Sequence, residues 1–217
     1  MVMKTDPESF IRANTALGTS PHVPEIRLHL ADEAHELWLK TEEELDALGL
    51  PPPFWAFAWA GGQGLARHLI DHPDLVAGKV VLDFASGSGL VAIAACLAGA
   101  ARVSAVDIDP WSVTAARLNA LENNVQFEIS QSDVVGTDAG WDVVLAGDVF
   151  YDRAMSDLVQ PWFSALAKRG ALVLVGDPGR SYCPNAGMER LATYQVPVTR
   201  ALEDSEIKRT SVFRFTG

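Results

Sequence analysis

Two cysteines, Cys96 and Cys183, are all the thiol chemistry this 217-residue chain carries. They lie far apart with no C-x-x-C or repeated spacing, which excludes a disulfide framework and a cysteine-based zinc site and fits a reducing compartment. Long hydrophobic runs are also missing. The longest, Leu90 to Ala100, has eleven residues, against the ~20 needed to cross a bilayer, so a buried helix is expected there and no membrane partner. Basic residues are scarce: 17 Lys and Arg face 28 Asp and Glu, for a net charge of −11. Such a surface matches a phosphate backbone poorly and excludes nucleic acid as the expected substrate, leaving a basic protein or a cationic small molecule. The N-terminal MVMKTDPESF lacks both the secretory and the transit pattern, so the expected location is cytoplasmic.

What is present is enough apolar material for one large domain. At 48% hydrophobic residues, a chain of this length buries roughly 70% of its unfolded surface. From Lys79 onward, short β-rich runs alternate with helical segments, the pattern of an α/β fold with a mostly parallel sheet. KVVLDF (79–84), RVSAVDI (102–108), VQFEIS (125–130), WDVVLAGD (141–148) and ALVLVGD (171–177) read as strands one to five. GLVAIAACLAG (89–99), PWSVTAARLNALENN (110–124) and AMSDLVQPWFSALAK (154–168) read as the intervening helices, the last kinked or broken at Pro161. TYQVPV (193–198) and IKRTSVFRF (207–215), joined by the acidic ALEDSE, form a terminal pair with no helix between them. That implies a hairpin, hence an antiparallel strand near one edge of the sheet.

The first 50 residues differ in character and are expected to form an N-terminal helical extension to a core spanning 51–217, all within one domain. PESFIRANTAL reads as a helix, SPHVPEI as a turn, and Ala31 to about Asp46 as an acidic helix with Lys40 as its one lysine. That acidic face is either simply solvated or a docking surface for a basic partner. His68 and His72 share a helix face but lack a third ligand, so no metal is expected.

The chemistry gathers at strand ends. DFASGSG, Asp83 to Gly89, sits between strand one and its helix, where a glycine-rich turn brings a ligand to the backbone and the helix N-terminus. It is not the dinucleotide G-x-G-x-x-G, which disfavours an NAD-binding oxidoreductase. It fits D-x-G-x-G-x-G, the form associated with S-adenosylmethionine, with Ala85 at the first glycine position. Asp83, Ala85, Ser86 and Gly87 are the candidate cofactor contacts there. Asp107, 24 residues beyond Asp83 at the end of strand two, is placed to accept hydrogen bonds from both ribose hydroxyls of an adenosine. Asp109, just before Pro110, is the expected helix N-cap. Asp133 after strand three either receives an adenine amino group or closes a turn. GDVFYD, Gly147 to Asp152, delivers two carboxylates and a tyrosine just after a buried strand, which either close a turn or meet a ligand. GDPGR (176–180) reads as a loop near the substrate mouth.

VVLDFASGSGLVAIAA followed by VSAVDIDPWSVTAARLNALENN resembles the class I seven-strand methyltransferases, a Rossmann-like fold. FWAFAWAGGQGLARHLID and DVVLAGDVFYD are similar to family 16 of the protein-lysine methyltransferases. Within it, FIRANT, VPEIRLHLADEA and PPFWAFAWAGG resemble the electron transfer flavoprotein β-subunit lysine methyltransferases. The resemblance implies S-adenosylmethionine as cofactor, and Asp148 and Tyr151 as a catalytic D-x-x-Y pair where methyl sulfonium and target amine meet. It further implies Trp59 packing by the cofactor, with Gly147 giving backbone room. The implied partner is a protein with an exposed basic lysine segment, the flavoprotein β-subunit first; a monomer is expected. Alternatives are a ribosomal-protein or small-molecule amine methyltransferase and a non-catalytic cofactor-binding module. N-P-P-Y, the amino-methyltransferase motif for glutamine, adenine or cytosine, is absent.

Overall fold

The computed structural model describes residues 6–32, 52–198 and 205–217. Most of the acidic segment expected to be a helix (33–46) and part of the ALEDSE link lie outside the described residues.

Strands β3 (Val80–Phe84), β4 (Arg102–Asp107), β5 (Glu128–Gln131), β6 (Val143–Gly147), β7 (Leu172–Asp177), β8 (Met188–Pro197) and β9 (Ile207–Phe215) form one sheet in the order β5-β4-β3-β6-β7-β9-β8. The first five are parallel, and β9 runs antiparallel to both β7 and β8. The final strand therefore inserts between β7 and β8 instead of ending the sheet. β3, β6 and β7 are nearly continuous buried runs, as a parallel sheet covered on both faces requires.

Alternate residues feed two cores. Val81, Val143, Leu145 and Leu174 pack with Leu65 and Leu69 of α2 (Ala60–Asp71) and Val91 and Ile93 of α3 (Leu90–Leu97). Leu82, Phe84, Val144 and Val173 pack against Val159, Trp162, Phe163 and Leu166 of α5 (Arg153–Arg169). Helix α5 runs unbroken through Pro161. The lost backbone donor there is outweighed by the apolar face buried on both sides of it.

The N-terminal segment is not wholly helical. After α1 (Pro7–Asn14), residues Ala16–Ser20 (β1) and Val23–Leu30 (β2) pair as an antiparallel hairpin. Val23, Ile26 and Leu28 enter the first core, and pairing with β1 draws the second half of the expected SPHVPEI turn into a strand. This hairpin is tied to α4 (Pro110–Glu122) by asparagines: Asn119 Oδ1 accepts from His29 N–H at 2.7 Å and Asn123 Oδ1 from Arg27 N–H at 2.9 Å. Phe10 of α1 meets Trp111 of α4 edge-on, with ring centroids 5.0 Å apart. Among the described residues, no helix is long and apolar enough to cross a membrane.

Candidate functional site

In this strand order the chain reverses direction of travel between β3 and β6, and the loops leaving those neighbours diverge into a crevice at their carboxyl ends. The crevice is a cavity of about 390 Å³. Trp59, Ala85, Gly87, Gly147 and Asp148 line it and also a smaller adjoining cavity that reaches Asp83 and Ser86.

The glycine-rich turn lines the crevice. Ala85, Gly87 and Gly89 all have positive φ, 53°, 51° and 78°. Only glycine adopts that region without strain, so Ala85 carries a conformational cost there. The turn is held from three sides: Gly87 N–H donates to Asp107 Oδ2 at 2.9 Å, Ser86 N–H donates to the Val106 carbonyl at 3.1 Å, and the Ser88 carbonyl accepts from Asn119 Nδ2 at 2.8 Å. Asn119 is completely buried and joins the N-terminal hairpin to this turn. Sequence reading missed it, because only the fold reveals that one side chain bridges both.

Two carboxylates, Asp107 lining the crevice and Asp83 lining the smaller cavity, are held above their ordinary pKa by burial. Asp83, which accepts from Ala92 N–H at 2.9 Å, is pushed up to about 8. Asp107 is raised by burial against the opposing N–H bonds of Asp109 and Gly87. Asp109 caps α4, accepting from Trp111 N–H at 2.9 Å and Ser112 N–H at 3.3 Å.

Asp148 lies on the other side. It is 8% exposed and has φ +58°, a region Asp tolerates better than most residues. Its Oδ2 accepts from Gly62 N–H at 2.8 Å, at the start of α2. Its Oδ1 accepts from Arg180 Nε at 3.0 Å and Nη2 at 2.6 Å. The helix N-terminus gets this close because its glycines and those of the strands meet bare backbone to bare backbone. A Cβ on Gly147 would stand 2.8 Å from Gly62 Cα, and one on Gly61 would collide with the Gly176 carbonyl. Gly147 therefore makes room for α2 as well as lining the crevice.

Aromatics form the rim. Phe54 lies 5.7 Å from Tyr151 and 5.8 Å from Trp59 between ring centroids, and Trp59 Nε1 donates to the Phe54 carbonyl at 2.9 Å. Tyr151 is half exposed, with burial raising its pKa. Of the residues singled out from sequence, Trp59, Ala85, Gly87, Asp107, Gly147, Asp148 and Tyr151 line the larger cavity, and Asp83 and Ser86 the smaller. Asp133 is not among the lining residues; it is exposed and accepts from Val135 N–H at 3.0 Å, closing a turn. Phe54, Ile108, Met155 and Arg180 also line the crevice. Ile108, 65% exposed directly after Asp107, is legible as an apolar residue at a strand end, but only the assembled crevice explains it.

The family described as "Ribosomal protein L11 methyltransferase (PrmA)" matches residues 68–176, from α2 through β7. Two curated relatives match far more of the chain. The electron transfer flavoprotein β-subunit lysine methyltransferase of Xenopus laevis is 37% identical over 97% of this chain and 87% of its own length. That of Danio rerio is 36% identical over 97% and 83%. The chain belongs to the electron transfer flavoprotein β-subunit lysine methyltransferase family. Among solved structures, the magnesium protoporphyrin IX methyltransferase of Synechocystis PCC 6803 with bound SAM aligns with a TM-score of 0.53 at 20% identity, covering 71% of this chain and 78% of that one. At that identity the likeness establishes the class I methyltransferase fold. Membership of the lysine methyltransferase family thus rests on whole-length similarity that includes the N-terminal hairpin and the aromatic rim.

Proposed function

We propose that this chain is an S-adenosylmethionine-dependent protein-lysine N-methyltransferase whose substrate is the β-subunit of electron transfer flavoprotein. The observation that carries the reading is the position of Asp148 and Tyr151 on one wall of a crevice whose opposite wall holds Asp107 and the glycine-rich turn. The protein groups suit the cofactor. Among the described residues, Ser86 Oγ is buried with no hydrogen-bond partner and nothing lies within 4 Å of where a Cβ on Gly87 would stand, while the raised pKa values of Asp83 and Asp107 mark carboxylates that a cationic ligand would relieve. When bound, S-adenosylmethionine supplies a methyl group made electrophilic by its positive sulfur.

The chain's own part is positioning. Asp107 would hold the ribose hydroxyls while Ser86 presents its hydroxyl and Gly87 leaves room beside it. Trp59, Phe54 and Tyr151 border the approach, so the aliphatic stem of a lysine runs between rings and its Nζ reaches Asp148. The N-terminal helix and hairpin and the core act as one unit in this reading, with Asn119 linking them.

The substrate assignment draws on the names of the relatives and on charge. A net charge of −11 attracts a lysine-rich segment and repels nucleic acid, an attraction screened beyond about 8 Å at physiological ionic strength. Purified β-subunit and purified ribosomal protein L11 are each incubated with labelled cofactor over a salt series. Label on a β-subunit lysine, declining as salt rises, is expected. Efficient labelling of L11 with the β-subunit untouched would overturn the substrate, and label on neither would overturn the reaction class.

A further inference from the structure

A carboxylate alone at the transfer point is a chemical problem. Free lysine has a pKa of about 10.4, and a lone anion beside it raises that value further, holding the amine in the protonated form that cannot attack. Asp148 is not alone. Arg180 grips one of its oxygens with two N–H groups, at 3.0 and 2.6 Å, and the two side chains are only 18% and 11% exposed.

The grip is built into the fold. Asp177 Oδ1 accepts from Gly179 N–H at 2.6 Å and Arg180 N–H at 2.8 Å, fixing the turn after β7. The Arg180 guanidinium also lies over the Trp59 ring, 5.5 Å from its centroid, a favourable cation–π placement. Beyond it the Tyr182 N–H donates to the Phe150 carbonyl at 3.1 Å and the Tyr182 carbonyl accepts from Ser156 Oγ at 2.8 Å. Arg180 is thus held against Asp148 by contacts on both sides of it in the chain.

We propose that Arg180 is a positioning residue that sets the protonation state of the acceptor: by neutralising Asp148, it lets the crevice take the lysine amine uncharged. The proposal rests on the lysine methyltransferase reading. The ammonium proton passes to water before transfer. The Nζ lone pair then forms the N–C bond as the S–C bond breaks, its electron pair staying on sulfur. Asp148 orients the neutral amine through its hydrogen-bonding capacity, without the net negative charge that would favour the ammonium. Among the described residues, the other titratable groups facing the pair are Asp107 and Asp109 across the crevice, Asp83 below it, Tyr151 on the rim, and Asp177 and Cys183 behind Arg180. Among the described residues lining the crevice, Arg180 is the one cation, so removing it leaves every remaining charge favouring the protonated amine.

The test is the pH dependence of the single-turnover methylation rate at saturating β-subunit, for the wild type, Arg180→Gln and Arg180→Lys. Arg180→Gln is expected to move the rising limb upward by roughly one pH unit or more. Its rate at neutral pH then drops about tenfold and recovers on the alkaline side, with half-saturation by the β-subunit unchanged or lower. Arg180→Lys keeps the charge and is expected to retain the wild-type limb. Calorimetric affinity for S-adenosylmethionine confirms that each variant is folded. A uniform loss of rate at every pH in Arg180→Gln, or equal shifts in both variants, would overturn the proposal while leaving lysine methylation in place. A wild type that methylates no lysine would overturn both.

Discussion

Ala85 and Asp148 are the first residues after the neighbouring parallel strands β3 and β6 and take up the same left-handed backbone conformation, with φ of 53° and 58°. Both line the crevice. Two non-glycine residues in this region amount to strain concentrated at the crevice. Asp148 is repaid by its bonds to Gly62 and Arg180. Ala85 has no polar side-chain atom with which to be repaid.

Ala85→Gly is therefore expected to stabilise the protein. Releasing an L side chain from the left-handed region gains about 1–2 kcal/mol, and the greater freedom of glycine in the unfolded chain takes back about 0.4–1 kcal/mol. A net rise in unfolding free energy of up to about 1.6 kcal/mol, centred on about 0.8 kcal/mol, should appear in denaturant titrations as a higher midpoint at unchanged slope.

Asp107→Ala should weaken cofactor binding by roughly 1.5–3 kcal/mol, the loss of charge-assisted hydrogen bonds to the ribose. The variant also frees the Gly87 N–H that Asp107 now accepts, so binding enthalpy should fall along with affinity. Isothermal calorimetry reads both, and an unchanged dissociation constant in a folded variant would place the ribose elsewhere.

How much of this was legible beforehand depends on the range of the interaction. β9 was readable as a strand from its own short run, from which Val212 and Phe215 reach the two cores. The Asp109 cap was readable because its partners lie two and three residues away. The N-terminal hairpin was not, because its pairing and its asparagine ties depend on α4 some ninety residues later. The same holds at the site: the loop sequence marks Ala85 as a substituted glycine, but its backbone angle comes from the fold. The run GDPGR places Arg180 near the mouth, while its bond to Asp148 spans 32 residues.

Asp83 makes stability depend on pH. Its folded pKa, about 8, lies above the ordinary carboxylate value of 3.8, so the folded state binds the proton more tightly. That contribution is fully present below the unfolded pKa and is lost as pH rises through the folded one. Asp83→Asn, which has no proton to lose, should gain stability relative to the wild type between about pH 4 and pH 8. Thermal melts of the two proteins across that window, without cofactor, check the sign. Parallel melting curves at all pH values would show that Asp83 ionises normally.

Methyl transfer beside Asp148 is tested most directly by comparing the wild type with Asp148→Asn, each saturated with S-adenosylmethionine, for the mass gained by purified electron transfer flavoprotein β-subunit. Asparagine tolerates the left-handed backbone and can still accept from Gly62, so the fold and the cofactor affinity should be kept. The expected result is methyl increments on a β-subunit lysine with the wild type, and a rate lower by at least about 100-fold with Asp148→Asn at an unchanged cofactor dissociation constant. Equal methylation by the two proteins, or a loss of cofactor binding matching the loss of rate, would contradict a transfer site at Asp148.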